Sequence, residues 1–487
     1  MRAKLMLTLI ATAVATAFAP ASNAVRSDGD AALTGIVSSP DEGKMEGVVV
    51  TARRAKSIVQ VSVTTGADGR YAFPRSHLQP GQYTLSIRAV GYDIASPVTA
   101  SVADDDAATA DIKLNKTKNL AGQLNNAEWM MSIPGSEEQK AELLDCVGCH
   151  TLERVVRSTH DADEWIKVIS RMRGYGAVSQ PIKPQPMLDR ARAGTPEQYR
   201  KLADYLATIN LSAMDHWQYE LKTMPRPKGR DTRAIVTQYD VGRLTTEPHD
   251  VLVDKEGKVW YTDFGEMYIG KFDPKTLKLV EYPIKKFKQK APEGLLSIEF
   301  DREGKIWFDT MYQGSMGCLD PQTGKIAYYP VPPEWNDDTV QLNFSGLRHD
   351  IDGKLWTKSV GTQHIFRLDL KTGKWERFHP TDFLPKATAP ARASIYQVIS
   401  DSQNNLWMAE FQAGHLGRID AKTTQVTWYP LPTAHARARR MNIDDQDRII
   451  VTEYRGNKVA TFDTRSEKFA EYSRPESLIA AFNSGRC

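Results

Sequence analysis

The chain has 487 residues, enough for about three domains of ordinary size. Its 63 basic and 60 acidic side chains leave a formal net charge of +3, so the composition argues against a nucleic-acid partner. Hydrophobic residues make up 41% and charged residues 25%, as in globular proteins, and four cysteines exclude a fold held by a disulfide framework.

The N-terminus has the features of a secretory signal peptide. Arg2 and Lys4 precede an apolar run over residues 5–18, and Ser22-Asn23-Ala24 supplies the small residues of a cleavage site. The run is too short for a membrane-spanning helix, and no later segment is long and apolar enough to be one. We therefore expect residues 1–24 to be removed and the mature protein to be periplasmic, not integral to the membrane.

The first region after this segment, residues 31–115, predicts a β-sandwich. Short runs of alternating apolar and polar residues are broken by turns such as Gly66-Ala67-Asp68-Gly69. The predicted strands lie at residues 35–37, 47–50, 83–87 and 110–114. Residues 64–73 and 89–92 resemble the carboxypeptidase regulatory-like domain, a small transthyretin-like sandwich. The resemblance implies a spacer or adhesion module without catalytic residues.

The second region, residues 128–215, is predicted to be helical and carries the motif Cys146-Val147-Gly148-Cys149-His150. Two thiols at this spacing can bond the vinyl groups of one porphyrin, and the next histidine can ligate its iron. The alternative, a structural zinc site, needs two more soft ligands, and Cys318 and Cys487 are distant in the sequence. We predict one covalent haem c on Cys146 and Cys149, with His150 as an iron ligand.

The sixth iron ligand is a choice between methionines. Residues 161–172 place apolar side chains on one helical face, and Thr195 is the predicted N-cap of a helix over residues 196–209. That helix and the cysteine motif resemble small class I cytochromes c, in which a methionine binds the second face of the haem. Residues 164–172 resemble short one-haem cytochrome domains fused to other periplasmic modules, which favours Met172. Larger class I cytochromes place the ligand before the last helix, where Met187 lies, and His160 is a third candidate.

The third region, residues 233–487, repeats the pattern Asp-x-x-Gly-x-x-Trp. The repeats start at Asp254, Asp301, Asp350, Asp401 and Asp444, and the fifth has lost its tryptophan. Four short strands per repeat predict an all-β propeller with five full blades, in which the tryptophans pack the blades. Residues 236–241 look like an additional closing strand. Because no complete closing blade is visible, we expect either an open ring or a chain truncated near Cys487, and favour truncation.

The repeats resemble the streptogramin B (virginiamycin B) lyase family. The resemblance is sharpest at Glu247-Pro248-His249, with Asp263 fourteen residues after His249. It implies His249 as the base of an elimination that opens a lactone ester, with Glu247 and Asp263 as ligands of Mg²⁺. Hard carboxylate oxygens suit Mg²⁺, which can polarise an ester carbonyl.

Two departures from the lyase pattern put this chemistry in doubt. Asp263 stands where the family has glutamate, and the chain lacks the preceding blade that supplies a substrate-binding histidine. The corresponding positions of the other blades predict a polar axis. Its candidate contacts are Arg437, Arg439, Glu410 and Glu453.

Taken together, the sequence predicts a multidomain chain: a transthyretin-like β-sandwich at 31–115, a small α-helical cytochrome c domain at 128–215 and a propeller, incomplete at its C-terminus, at 233–487. The main functional hypothesis is an electron-transfer protein whose propeller binds or transforms a small molecule or docks a redox partner protein; as an enzyme it would be a haem-dependent oxidoreductase. The alternatives are a Mg²⁺-dependent C–O lyase and a non-catalytic binding or scaffold protein. An elimination transfers no net electrons, so the haem favours the first hypothesis.

Overall fold

A computed structural model describes residues 30–148, 150–188, 195–212, 215–337, 340–344, 346–386, 393–434, 436–456 and 458–473. The predicted signal peptide, Cys149 and Cys487 therefore lie outside the described residues. Within the described ranges, no helix is long and apolar enough to cross a membrane. The chain divides into two compact units, and the boundaries of these units differ from those of the three predicted regions.

The first unit contains the residues up to Lys118 together with Pro225–Asp240, and it is a β-sandwich. Its strands are β1 Ala31–Ser39, β2 Gly43–Lys44, β3 Val49–Arg54, β4 Val59–Thr64, β5 Arg70–Pro74, β6 Gly81–Arg88, β7 Tyr92–Ile94, β8 Val98–Val102, β9 Ala108–Thr109, β10 Ile112–Lys116 and β11 Val236–Tyr239.

Two sheets enclose the core of this unit. One has the strand order β2-β1-β10-β7, with β5 and β9 also paired to β1, and the other has the order β11-β4-β3-β6-β8. Alternate residues of β6 point inward, so that Tyr83 and Leu85 are buried while their neighbours are exposed. They join Leu33, Val50 and Phe73 in one apolar cluster. The predicted sandwich is confirmed. The alternating apolar residues from which the strands were predicted are the residues that fill the core between the two sheets.

The strand β11 corrects one sequence interpretation. Residues 236–241 were expected to form a closing strand of the propeller, but β11 pairs antiparallel with β4, from Val236 opposite Ser62 to Tyr239 opposite Val59. Arg53 also forms an ion pair with Asp240 at 2.8 Å. The alternating pattern of this strand fits any open sheet edge, and β4 provides one.

The second unit contains residues 119–224 and the chain from Val241 onward. Its helices are α1 Asn126–Ser132, α2 Glu137–Glu142, α3 Leu152–Val156, α4 Ala162–Met172, α5 Pro196–Ile209 and, in the propeller, α6 His349–Asp352. Capping boxes start α1, α2, α4 and α5. Thr195 is the N-cap of α5 and accepts a hydrogen bond from the Gln198 N–H, as predicted.

Five four-stranded antiparallel sheets follow, each built from consecutive strands, as in propeller blades. Blade 1 has β12 Pro248–Val253, β13 Val259–Asp263, β14 Tyr268–Asp273 and β15 Lys278–Pro283. Blade 2 has β16 Ile298–Phe300, β17 Ile306–Asp309, β18 Ser315–Leu319 and β19 Ile326–Pro330. Blade 3 has β20 Leu342–Asn343, β21 Lys354–Ser359, β22 Ile365–Asp369 and β23 Trp375–Phe378. Blade 4 has β24 Ile395–Ser400, β25 Leu406–Glu410, β26 His415–Ile419 and β27 Val426–Pro430. Blade 5 has β28 Ala438–Ile443, β29 Arg448–Glu453, β30 Lys458–Asp463 and β31 Lys468–Ser473.

The repeated Asp-x-x-Gly-x-x-Trp pattern has a structural cause. Asp254 Oδ1 accepts hydrogen bonds from the backbone N–H groups of Glu256 and Lys258, while its Oδ2 accepts the indole N–H of Trp260 at 3.0 Å. The same indole bond recurs from Trp307 to Asp301 and from Trp407 to Asp401. These tryptophans are buried in the blades, which confirms that they pack the propeller.

A segment between α4 and α5 docks on blades 1 and 2. Gln185 donates to the carbonyl of Gly265 at 2.8 Å and accepts the Glu293 N–H, and Lys183 pairs with Glu266 at 2.7 Å. Val178 and Leu188 join an apolar cluster with propeller residues. The helical region therefore shares one compact unit with the blades, whereas the sequence predicted a separate domain.

Candidate functional site

The cysteine motif lies in a short helical segment. Cys146 belongs to a 3₁₀ helix, Leu143–Gly148, and is half-buried. His150 follows in an extended connection to α3, with its ring Nδ1 atom 3.1 Å from the carbonyl oxygen of Thr151. A carbonyl oxygen can only accept, so Nδ1 carries the proton and the neutral ring keeps its lone pair on Nε2. This is the tautomer that an iron ligand needs, with the second nitrogen fixed by a backbone partner.

The two candidate methionines lie close to the same helix end. Met172 is the last residue of α4 and has 38% of its surface exposed, while Met187 has 58% exposed. A Cβ atom placed on Gly174 would lie 3.2 Å from Met187 Sδ, so this side chain covers the turn just after Met172. Exposed thioethers of this kind are free to bind iron, and the choice between the two stays open. His160 instead packs its ring on Trp165 at 5.2 Å.

Three buried donors without acceptors lie in the helical region. The indole nitrogens of Trp129 and Trp165 and the hydroxyl of Tyr199 are buried and have no hydrogen-bond partner among the described residues. Native proteins seldom leave such groups unsatisfied. Haem carries two carboxylate side chains, which are acceptors of the kind that these donors lack. Donors of this kind, in the region of the chain that carries His150, are compatible with a haem c.

The lyase-like residues lie at the start of blade 1. The first strand β12 pairs irregularly with β13, and the register shifts between Pro248 and Val251. This bulge presents His249 and Asp250, whose Nδ1 and Oδ1 atoms are 2.8 Å apart, and the His249 ring stacks on Phe264 at 4.7 Å. Bulges often redirect side chains next to functional sites.

His249 opens onto a cavity of about 440 Å³. The cavity is lined by Pro248, His249, Asp250, Val251, Ile298 and Arg440, and so joins blades 1, 2 and 5. Because an ionised Asp250 can only accept, His249 Nδ1 is the donor and Nε2 keeps its lone pair. A ring held in this way could accept a proton at Nε2, and the role of His249 as a general base stays a prediction.

Asp263 is placed differently from the prediction. Its carboxylate is fully buried, pairs with Arg243 at 3.0 Å and accepts the N–H groups of Glu247 and Gly265. Burial is the largest influence on the pKa of Asp263 and raises it. Since arginine and backbone donors already bind this carboxylate, Glu247 and Asp263 do not fit a Mg²⁺ site. Among the described residues, no three His, Cys, Asp or Glu side chains converge as metal ligands.

The other predicted axis residues are two arginines and two glutamates. Arg437 and Arg439 extend over aromatic rings of blades 4 and 5. Glu410 accepts three backbone N–H groups, from Ser394, Gln412 and Ala413, and so has a structural role. Burial raises the pKa of Glu453 to about 7.

A buried acid and a buried base escaped the sequence analysis. Asp309 of blade 2 accepts the N–H groups of Ser297 and Met311, and burial raises its pKa to about 7. Lys358 of blade 3 is 2% exposed, and burial lowers its pKa to about 7. Among the described residues, the Lys358 ammonium has no hydrogen bond or ion pair. The aligned repeats carry the signal, because Lys358 stands where blade 1 has Thr262 and blade 4 has Ala409.

Comparison with known proteins agrees with the sandwich. Residues 32–115 match the carboxypeptidase regulatory-like domain family. A comparison with curated proteins finds no match.

Among solved structures, virginiamycin B lyase from Staphylococcus aureus is 23% identical, with a TM-score of 0.37, covering 47% of this chain and 71% of that one. A catalytically inactive form of that lyase with quinupristin is 22% identical, with a TM-score of 0.39, covering 50% of this chain and 74% of that one. An extracellular domain assigned to a one component system of B. thetaiotaomicron is 18% identical, with a TM-score of 0.36, covering 47% of this chain and 31% of that one. With identities and TM-scores this low, no activity follows for this chain.

Proposed function

We propose that this protein is an exported electron-transfer protein that carries one covalent haem c and binds a small molecule at its propeller. Cys146 and Cys149 would form the thioether bonds, and His150 and Met172 would bind the iron, with Met187 as the alternative to Met172. The observation that carries the proposal is the bond of His150 Nδ1 to Thr151, which leaves Nε2 available beside the cysteine motif.

Two side chains of this protein would determine the properties of the bound haem. His150 is held in one tautomer by a backbone carbonyl, and a methionine thioether would exclude other ligands and raise the reduction potential. When bound, the haem supplies one-electron chemistry. The signal-peptide pattern supports export to the periplasm.

The segment between α4 and α5 connects the proposed haem site with the site at His249. Lys183 and Gln185 follow α4 in the chain and hold Glu266 and Gly265 of blade 1. Glu266 also pairs with Arg243, the residue that holds Asp263 near the start of β12. A ligand beside His249 would therefore lie close to elements that contact the haem-binding region.

Covalent attachment is tested by producing the full chain with a cytochrome c maturation system. After denaturing electrophoresis, we expect haem-dependent peroxidase staining to stay with the wild-type chain and with Cys318→Ala. It should be lost in Cys146→Ala with Cys149→Ala. Staining of the double variant equal to wild type would contradict the proposal.

A second candidate function is a C–O lyase that opens a lactone ester. It is favoured by the position of His249, which keeps Nε2 free at the mouth of a cavity. Ring opening of a type B streptogramin by the wild-type protein, lost in His249→Ala, would support it. The reaction should be run with Mg²⁺ and with chelator, because the carboxylates of blade 1 are already bound to other groups. No turnover in either condition would reject the lyase.

A further inference from the structure

Three aromatic side chains of blades 4 and 5 lie together. The ring centroid of Phe411 is 5.6 Å from that of Tyr396 and 5.8 Å from that of Tyr454. Tyr396 lies in a register shift of β24, between Ile395 and Gln397. All three side chains are half-buried, so part of each ring is accessible to solvent.

Three arginines cover these rings. Arg439 lies between two of them, with its guanidinium carbon 5.1 Å from the Tyr396 centroid and 5.0 Å from the Tyr454 centroid. Arg437 lies 5.1 Å from Phe411, and Arg440 lies 5.8 Å from Tyr396. A guanidinium on an aromatic face keeps its N–H edge available for a bidentate contact with a carboxylate or phosphate. We call these six residues the arginine–aromatic cluster.

The cationic charge of the cluster is not neutralised by the protein. Within the described part of the chain, Arg437, Arg439, Arg440 and the neighbouring Arg455 form no ion pairs. Several other arginines of this unit pair with an acid, namely Arg243, Arg367, Arg418 and, in blade 5 itself, Arg448. Arg377 of blade 3, which lies over the ring of Trp335, forms no ion pair among the described residues. Burial, and then the charge of Arg455, lower the pKa of Arg437.

Two glutamates of the same blades, Glu410 and Glu453, form no ion pair with these arginines among the described residues. Glu410 is held by backbone N–H groups, and burial raises the pKa of Glu453 to about 7. Several like charges without a counter-charge are expected where an anion completes the site.

The backbone that presents these arginines is irregular. Arg437 has a φ of +57°, a conformation that costs energy for a side chain of this size, and its carbonyl accepts the Tyr454 N–H at 3.0 Å. Arg439 and Arg440 lie in a register shift of β28, between Ala438 and Met441. The equivalent shift in blade 1 presents His249. Local strain and bulges of this kind are concentrated at functional sites.

We propose that the arginine–aromatic cluster binds a small organic molecule with two or more anionic groups, either carboxylates or phosphates. Arg440 also lines the cavity beside His249, and a volume of about 440 Å³ suits a small molecule rather than a polymer. This inference rests on the part of the proposed function that gives the propeller a small-molecule ligand, and it does not depend on the haem.

Calorimetric titration of the full chain with citrate, pyrophosphate and acetate at constant ionic strength tests the proposal. Citrate or pyrophosphate should bind at least tenfold more tightly than acetate, and the tighter of the two identifies carboxylate or phosphate as the preferred group. Arg439→Gln should lose at least tenfold in affinity, and Arg439→Lys should lose less. Arg448→Gln, which removes a paired arginine of the same blade, should bind as wild type does.

Equal affinity for the three anions would overturn the proposal, because the cluster would then not select molecules with several anionic groups. Equal losses in Arg439→Gln and Arg448→Gln would also overturn it, because net charge alone would then explain binding. Binding of heparin or single-stranded DNA without binding of citrate or pyrophosphate would overturn it as well, in favour of a surface for polymers. If Arg439→Gln fails to fold, Arg437→Gln provides the same comparison. The absorption spectrum of each sample reports haem separately, so failure of anion binding is distinguishable from failure of haem attachment.

Discussion

Two histidines of this protein occur in motifs with known ligand chemistry, and their surroundings differ. His150 is oriented by the backbone carbonyl of Thr151, and Met172 and Met187 in the same helical region are exposed. His249 is oriented by Asp250, but the second acid of its motif, Asp263, is bound by Arg243 and by backbone N–H groups. The two methionines are exposed, whereas Asp263, the second acid expected beside His249, is bound by other groups of the protein.

The comparison shows that a motif supplies residue types, while the neighbours decide which atoms remain available. Arg243 is separated from Asp263 by twenty residues, and no motif links the two. Substitutions at these histidines and in their surroundings test the difference between the two sites.

The largest effect is expected from His150→Ala. Loss of the imidazole removes one iron ligand, so the haem should be high-spin or be lost, while His249→Ala should leave the absorption spectrum unchanged. Visible spectra of oxidised and reduced protein give the measurement. If the two variants changed the spectrum equally, the assigned roles of the two histidines would be wrong.

Arg243→Met should lower the free energy of unfolding by about 3 kcal/mol, because it leaves buried Asp263 without its cation and leaves Glu266 with Lys183 alone. We take the low end for a broken buried pair, since the side chain of Arg243 is 34% exposed. Urea unfolding followed by circular dichroism provides the measurement, and Arg465→Met, on an exposed turn, is the control. Unchanged stability together with Mg²⁺ binding would instead support the lyase-like metal site.

Met172→Ala should lower the haem reduction potential by an amount on the order of 100 mV, equivalent to roughly 2 kcal/mol, because a thioether ligand stabilises the reduced iron. Met187→Ala should shift the potential much less. A redox titration of each variant decides between the two. The opposite result would identify Met187 as the ligand, and no shift in either variant would exclude methionine ligation.

Lys358→Met should raise the free energy of unfolding by about 1–2 kcal/mol at pH 7. Burial lowers the pKa of Lys358 from 10.5 to about 7, so folding opposes its charge, and this cost grows as the pH falls from 10.5 towards 7. The gain in the variant should therefore shrink at pH 9, whereas Lys371→Met, on an exposed turn, should show no such trend. A loss of stability at both pH values would mean that Lys358 and Asp309 stabilise the fold as an ion pair.

Much of the architecture follows from local patterns in the sequence. Blades 1, 2 and 4 were predictable because their Asp–Trp pair closes a turn and satisfies an indole N–H within seven residues, as Asp254 and Trp260 do. Blades 3 and 5 follow from the same repeat, although Trp356 donates to the Asn404 carbonyl instead and blade 5 has no tryptophan at this position. Thr195 was predictable as an N-cap for the same reason, since its partner Gln198 is three residues away.

Contacts between distant residues were not predictable. The pattern of β11 is that of any edge strand, and only the fold assigns it to β4. Three features depend on the fold. The pairing of Arg243 with Asp263 and the cluster around Arg439 lie at register shifts in the first strands of their blades. The burial of Lys358 depends on the blades that surround it. A single sequence shows these residues, but it does not show which distant residues contact them in the fold.

The central claim is that this chain is a haem c protein, and the mass of the intact mature protein under denaturing conditions tests it most directly. We predict a mass equal to the chain without residues 1–24 plus one haem, unchanged by acid or organic solvent because the attachment is covalent. The mass of the polypeptide alone, from cells that mature other c-type cytochromes, or zinc bound under native conditions, would contradict the account.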